Sequence, residues 1–138
     1  MKKEYYEVRG CKLAGTSYSE VHKKAWQIYL MEKKKSKRRA YVRSAYFKKE
    51  KIFLDIFWSH LKQKSPKDKF RRLKFYACAI KLLKKCKNHP VTVQNVDNLS
   101  VVFHRFHGKV DSNEKFVVQM KENKRTRKKY LISVFPEK

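Results

Sequence analysis

Residues 99–135 read LSVVFHRFHGKVDSNEKFVVQMKENKRTRKKYLISVF. Three runs rich in valine, isoleucine and aromatic residues, 99–107, 115–121 and 129–135, are separated by polar, hairpin-sized gaps at 108–114 and 122–128. Successive residues of a strand point to opposite faces. Phe116, Val118 and Met120 therefore share one face and Val117, Gln119 and Lys121 the other, while Tyr130, Ile132 and Val134 alternate with Leu131, Ser133 and Phe135. This predicts an antiparallel meander, with a fourth, short strand at 91–93 in the connector VTVQNVDNLS.

Upstream the apolar period becomes helical. Ser17-Tyr18-Ser19-Glu20 fits a capping box, and Val21, Ala25, Ile28 and Tyr29 follow at helical spacing. A second helix is expected over 47–63, where Ile52, Phe53, Ile56, Phe57, His60 and Leu61 form a broad apolar stripe beside Trp58. Ser65-Pro66-Lys67-Asp68 supplies an N-cap serine, a first-turn proline and an acid at the positive end of the dipole. This third helix is expected to reach about Lys85. Phe70, Leu73, Ala77, Ile80 and Leu83 would face inward, with Arg71, Arg72 and Lys74 directed elsewhere. Residues 1–16 read as irregular. The fold class is α+β: N-terminal helices followed by a three- to four-stranded antiparallel β-meander. Residues 1–44 form a basic helix and arm and 45–138 the α+β domain, together one compact unit.

At 138 residues the chain holds about one domain, and a hydrophobic fraction of 41% is enough for a core. Its 37 Lys and Arg against 12 Asp and Glu give a net charge of +25. Self-repulsion on that scale calls for a polyanion: DNA, RNA, the ribosome or an anionic membrane. The membrane ranks last, because the apolar stripes are needed for the core and no apolar run approaches the ~20 residues that span a bilayer. The start MKKEYYEVRG lacks the apolar stretch of a signal peptide. Cys11, Cys78 and Cys86 are odd in number and irregularly spaced, which argues against a disulfide scaffold. Cys78 reads as a buried small hydrophobe. These features suggest a cytoplasmic protein.

The densest charge lies at 33–51, with ten Lys or Arg and a single acid, Glu50. It is either a solvated, self-repelling arm or a phosphate-binding one. Arg38, Arg39, Arg43, Lys48 and Lys49 are its candidate contacts, joined by Arg72, Lys74 and Lys129 further on. Tyr41, Tyr46 and Phe47 are interleaved with these charges. They could stack on unpaired bases or simply dock the arm on its own domain.

The second face of the meander would display Gln119, Lys121 and Ser133, with either His104 or the pair Arg105 and His107. Alternation does not choose between them, because both sides of 101–107 carry apolar residues. Such a set suits metal-free RNA cleavage, in which the 2′-hydroxyl attacks its own phosphate. A neutral imidazole takes the proton, a second acid protonates the leaving oxygen, and Arg or Lys stabilises the growing charge. No acidic pair suggests a two-metal site. Cys86-x-x-His89 with Cys78 and His60 matches no four-ligand zinc pattern. Neither a metal nor a cofactor is expected.

The segments RRLKFYACAIKLL, LSVVFHRFHG and KFVVQMKENKRTRKKYLISVFP, over roughly 66–136, resemble the barnase–EndoU–colicin–RelE group of metal-independent ribonucleases, many of them bacterial or phage-encoded toxins. The resemblance implies a nuclease-like domain over 45–138 and an endoribonuclease activity. It implicates Arg71 or Arg72 from the helix and His104, Arg105, Lys121 and Ser133 from the sheet; in the cleavage reading of this face His104 is base or acid, and Ser133 and Gln119 orient the phosphate. It also implies an RNA target, with the ribosome and tRNA as candidates, and an acidic antitoxin partner. Glu114 and Glu122 fall at hairpin ends, so the catalytic glutamate of barnase has no counterpart. Charge alone supports a different function, a non-catalytic nucleic-acid-binding or ribosome-associated protein.

Overall fold

The structure, a computed structural model, describes residues 4–137. Its elements run β1 (Tyr5–Glu7), α1 (Tyr18–Lys35), β2 (Tyr41–Arg43), β3 (Lys51–Phe53), α2 (Asp55–Lys62), α3 (Pro66–Leu73), α4 (Tyr76–Lys85), β4 (Val91–Gln94), β5 (Val101–Lys109), β6 (Lys115–Asn123) and β7 (Lys129–Pro136). The class is α+β. The order of helices first and an antiparallel meander afterwards does not hold. Three strands come from the N-terminal half, and the sheet order is β1-β5-β6-β7-β3-β2, with β4 also on β5. β5, β6 and β7 are antiparallel neighbours, but β1 joins β5 and β3 joins β7 in parallel. Position 44 lies in the turn between β2 and β3, so both sides of the expected boundary at 44/45 contribute to one sheet.

One sheet face packs on the helices. Phe106, Phe116, Val118, Met120, Leu131 and Val134 enter a single core with Val21 and Ala25 of α1, Phe57 and Trp58 of α2, Leu73 of α3, and Tyr76 and Leu82 of α4. Gly108 pairs with Phe116, whose ring lies where a side chain at 108 would go; an added Cβ would sit 2.6 Å from Phe116 Cε1. Phe75 stacks on the same ring at 5.4 Å and closes its other side.

The face assignment of β7 differs from strict alternation. Gln119 pairs with Ser133, yet Met120 pairs with Leu131, so Ile132 is an extra residue in a bulge. Lys129, Leu131 and Val134 thereby share the core face. Tyr130 and Ser133 share the outer one.

α1 begins as expected: Ser17 Oγ accepts from the Glu20 amide at 3.3 Å, and Glu20 reaches back to the Thr16 amide at 3.2 Å. Ser65 caps α3 through the Asp68 amide at 3.3 Å. The long third helix is instead two. The chain turns at Lys74–Phe75, where the Phe75 amide bonds the Arg72 carbonyl, and this brings Leu73 and Phe75 both into the core. The expected helix from residue 47 begins only at Asp55. Lys48 and Lys49 adopt φ of 54° and 67°, closing a β2–β3 hairpin in which Ser44 Oγ accepts the Phe47 amide at 2.9 Å.

The cysteines also depart from expectation. Cys78 is fully buried, but it is bonded to Cys11, tying the coil after β1 to α4. Cys86 is buried and free. No helix among the described residues is long and apolar enough to cross a membrane.

Candidate nucleic-acid interface

The outer sheet face carries two cross-strand rows of part-exposed side chains. In the first, Arg105 of β5, Gln119 of β6 and Ser133 of β7 are consecutive register partners, and Arg105 Nε donates to Gln119 Oε1 at 3.1 Å. The second runs Phe103, Lys121, Tyr130, Phe53 and Tyr41 across β5, β6, β7, β3 and β2. Of the two alternatives the sequence leaves open, the face holds Arg105 and His107. His107 is buried at the end of the face where Tyr5 lies edge-on to its ring and Glu137 Oε1 sits 3.6 Å from its Nδ1.

His104 lies on the opposite, core face. Its Nδ1 is 2.9 Å from Thr92 Oγ1 and its Nε2 2.7 Å from Glu122 Oε1, so both ring nitrogens are occupied in a residue only 7% exposed. Physically, β5 keeps Phe106 and Gly108 in register with the core, and His104 shares their parity. Lys129 belongs to the same buried network. Its Nζ lies 2.6 Å from Glu50 Oε1, 3.7 Å from Glu122 Oε2 and 4.8 Å over the Phe47 ring. It is a structural cation of the interior and does not face solvent phosphate. Lys129→Met is expected to lower stability by about 2 kcal/mol, since Glu122 would lose its cation in a largely buried site. Chemical denaturation measures this, and an unchanged midpoint would show that the ion pair contributes nothing.

The helix α3 lies along β7. Asp68 is held by Arg71 Nη2 at 2.8 Å and Arg72 Nε at 3.0 Å. Burial works against the Asp68 carboxylate, but these two hydrogen bonds outweigh it and keep its pKa below the ordinary value. Arg72 also places its guanidinium 5.3 Å over Phe135 at the margin of the outer face. Arg71 is half-exposed, and Lys74 covers Phe70 at 4.4 Å. On α2, His60 is close enough to Lys121 to feel its charge. Burial, then repulsion from Lys121 and Lys64, lowers its pKa, so its imidazole is neutral at pH 7.

The basic run at 33–51 is folded, and it builds a cleft of about 950 Å³ between the ends of α1 and α4 and the β2–β3 hairpin. Lys35, Arg43, Lys48, Lys49, Lys85 and Lys87 line it. The acid in its wall, Glu32, is buried and neutralised by Lys84 at 2.8 Å. Lysines in the last turns of α1 and α4 complement the negative dipole ends, which favours their gathering here. A second groove, of about 610 Å³, holds Arg38, Arg39, Lys51 and Lys128 and shares Tyr41 and Lys35 with the first. Tyr41 thus joins the cationic cleft to the aromatic row. Arg39 is fixed flat by Asp55, which accepts from its Nε at 3.1 Å and Nη2 at 2.8 Å.

The structure therefore brings together Arg105, Gln119, Lys121 and Ser133 on the outer face, with Arg72 at its margin. Arg38, Arg39, Arg43, Lys48 and Lys49 gather in the grooves beside it. His104 and Lys129 are placed on the core side. His60 and the row through Phe53 and Tyr130 were not singled out from sequence as site residues. Among the described residues, no three His, Cys, Asp or Glu side chains converge to hold a metal ion. No protein-family model, curated protein or solved structure matches the chain.

Proposed function

We propose that this protein binds RNA, holding the phosphate backbone in the cationic grooves and the strand across the outer sheet face. The carrying observation is the cleft of about 950 Å³ whose wall gathers seven exposed Lys and Arg side chains about one acid, Glu32. A cationic cluster with a single acid among so many Lys and Arg repels itself and is relieved by a polyanion. Titrating labelled RNA at increasing salt tests it: log K should fall linearly with log[salt], by about 0.7 per phosphate contacted on a single strand. Binding indifferent to salt would refute it. An RNA ligand places the work in the cytoplasm, where the buried Cys11–Cys78 bond would have to resist reduction.

A second reading, metal-independent cleavage of the bound RNA by 2′-hydroxyl attack, is favoured by one observation. Arg105, Gln119, Lys121 and Ser133 share the outer face, and His60 of α2 is a part-buried imidazole whose pKa burial and the Lys121 charge lower. In this reading His60, in place of His104, takes the 2′-hydroxyl proton, and Arg105 and Lys121 stabilise the phosphorane charge. A toxin's acidic antitoxin would cover the same cations. Because the His60 pKa is lowered, the rising limb of the pH–rate profile should be centred below the ordinary histidine value of 6.5. The His60→Ala variant should lose the cleavage seen in EDTA. Wild-type RNA left intact, or full cleavage by the variant, would remove this reading and leave binding alone.

A further inference from the structure

The aromatic row across the outer face assigns a ligand class. We infer that Tyr41, Phe53, Tyr130 and Phe103 form a stacking platform for the unpaired bases of single-stranded RNA. The inference rests on the RNA reading above and goes beyond it, since phosphate binding alone does not distinguish a single strand from a duplex.

Four features carry it. First, the row is built by register: Tyr41 pairs with Phe53, Phe53 with Tyr130, Tyr130 with Lys121, and Lys121 with Phe103. Side chains directly opposite one another across strands stand on the same face. Second, none of these rings is buried, although the sheet's other face offers a core. Third, the rings are neighbours, with centroids 6.4 Å apart for Tyr41–Phe53 and 5.9 Å for Phe53–Tyr130. Fourth, cations accompany them. Lys51 Nζ lies 4.6 Å from the Tyr41 centroid, and Arg39 Cζ lies 4.5 Å from that of Phe53 and 5.5 Å from that of Tyr130.

The chemistry fits an unpaired strand. Every base has a π-face, so aromatic stacking tolerates sequence, while adjacent cations follow the backbone. The Arg39 guanidinium, held in its plane by Asp55, adds a further flat surface of the kind on which bases stack. In a duplex the base faces are stacked inside and cannot reach a flat row of rings. The row also ends at Tyr41, which lines both cationic grooves. A strand laid across the rings therefore runs directly into the lysines.

The test compares two ligands of equal charge by fluorescence anisotropy: an eight-nucleotide single-stranded RNA, and the same ribose-phosphate chain without bases. The RNA should bind tighter by about tenfold for each stacked base, and a blunt duplex of the same sequence should bind more weakly than the single strand. Tyr41→Leu combined with Phe103→Leu keeps apolar bulk but removes two rings. It should reduce the ratio of the two affinities by about a hundredfold, whereas Tyr41→Phe should retain it. Equal affinities for the strand with and without bases would overturn the platform and leave phosphate binding standing, as would a ratio unmoved in the double variant. Failure of both ligands to bind would overturn the RNA reading and this inference with it.

Discussion

Replacing Cys11 and Cys78 together by alanine is expected to remove about 4 kcal/mol of folding stability. The bond spans a sequence separation of 67 and encloses α1, the β2–β3 hairpin, α2 and α3. Without it the unfolded chain regains the entropy of a large closed loop. The loss would fall first on the N-terminal segment. β1 has three residues and pairs with the end of β5, and apart from the Lys12–Glu114 ion pair the coil beyond it is tied by isolated hydrogen bonds such as Leu13 amide to Lys74 carbonyl. Guanidinium unfolding of the wild type with and without reductant, and of the double variant, measures the effect. Equal unfolding free energies in all three would mean that these sulfurs do not bond in solution.

The second large effect concerns the cleft. Lys48, Lys49, Lys85 and Lys87 are exposed and line it, and among the described residues no acid is hydrogen-bonded to them. Replacing all four by glutamine removes four candidate phosphate contacts without breaking the Lys84–Glu32 pair. The salt slope should become shallower by about 2.8, and affinity for single-stranded RNA near 0.1 M salt should fall on the order of several hundredfold. Filter binding at a series of salt concentrations reads both quantities. A fall in affinity with an unchanged slope would show that the lysines act through the fold and do not touch phosphate. An unchanged affinity would place the ligand elsewhere. Relief of like-charge crowding should leave the folded variant as stable as the wild type, or slightly more so.

The parts of this fold legible in the sequence are those whose determinants are local. The caps at Ser17 and Ser65 satisfy amides three residues away, and both helices begin where their sequences indicate. The alternation of Phe116, Val118 and Met120 marks β6 because that strand has one dry face and one wet one. The three-residue strands β1, β2 and β3 have no such pattern. β1 and β3 exist because distant partners, β5 and β7, supply their hydrogen bonds, and β2 because β3 does. The lysine run at 33–51 therefore looked like an arm. Two positive-φ lysines and the seating of Ser44 make it a hairpin. The helix break at Lys74–Phe75 has no proline or glycine to announce it; the Phe75–Phe116 stack supplies the reason. For the site, the chemical types were legible but their faces were not. Arg105, Gln119, Lys121 and Ser133 do share one surface. His104 does not, because its parity follows Phe106 and Gly108, and its nitrogens find Thr92 and Glu122 on that other side.

The extra residue at Ile132 has a consequence for the whole molecule. It works as a phase shifter between the two ends of β7: Ser133 onward keeps step with Gln119, while Leu131 and everything before it is set half a period out. Were the strand to keep its length but lose the bulge, one end would turn over: either Tyr130 would turn inward and Lys129 out to water, or Ser133 and Val134 would exchange sides. Excising Ile132, by contrast, would bring Leu131 next to Ser133 in the register both already hold against Met120 and Gln119, and leave interior and working surface where they are. What the chain has to preserve here is therefore the looped-out geometry, since a flat strand of the same length could keep one surface only by sacrificing the other.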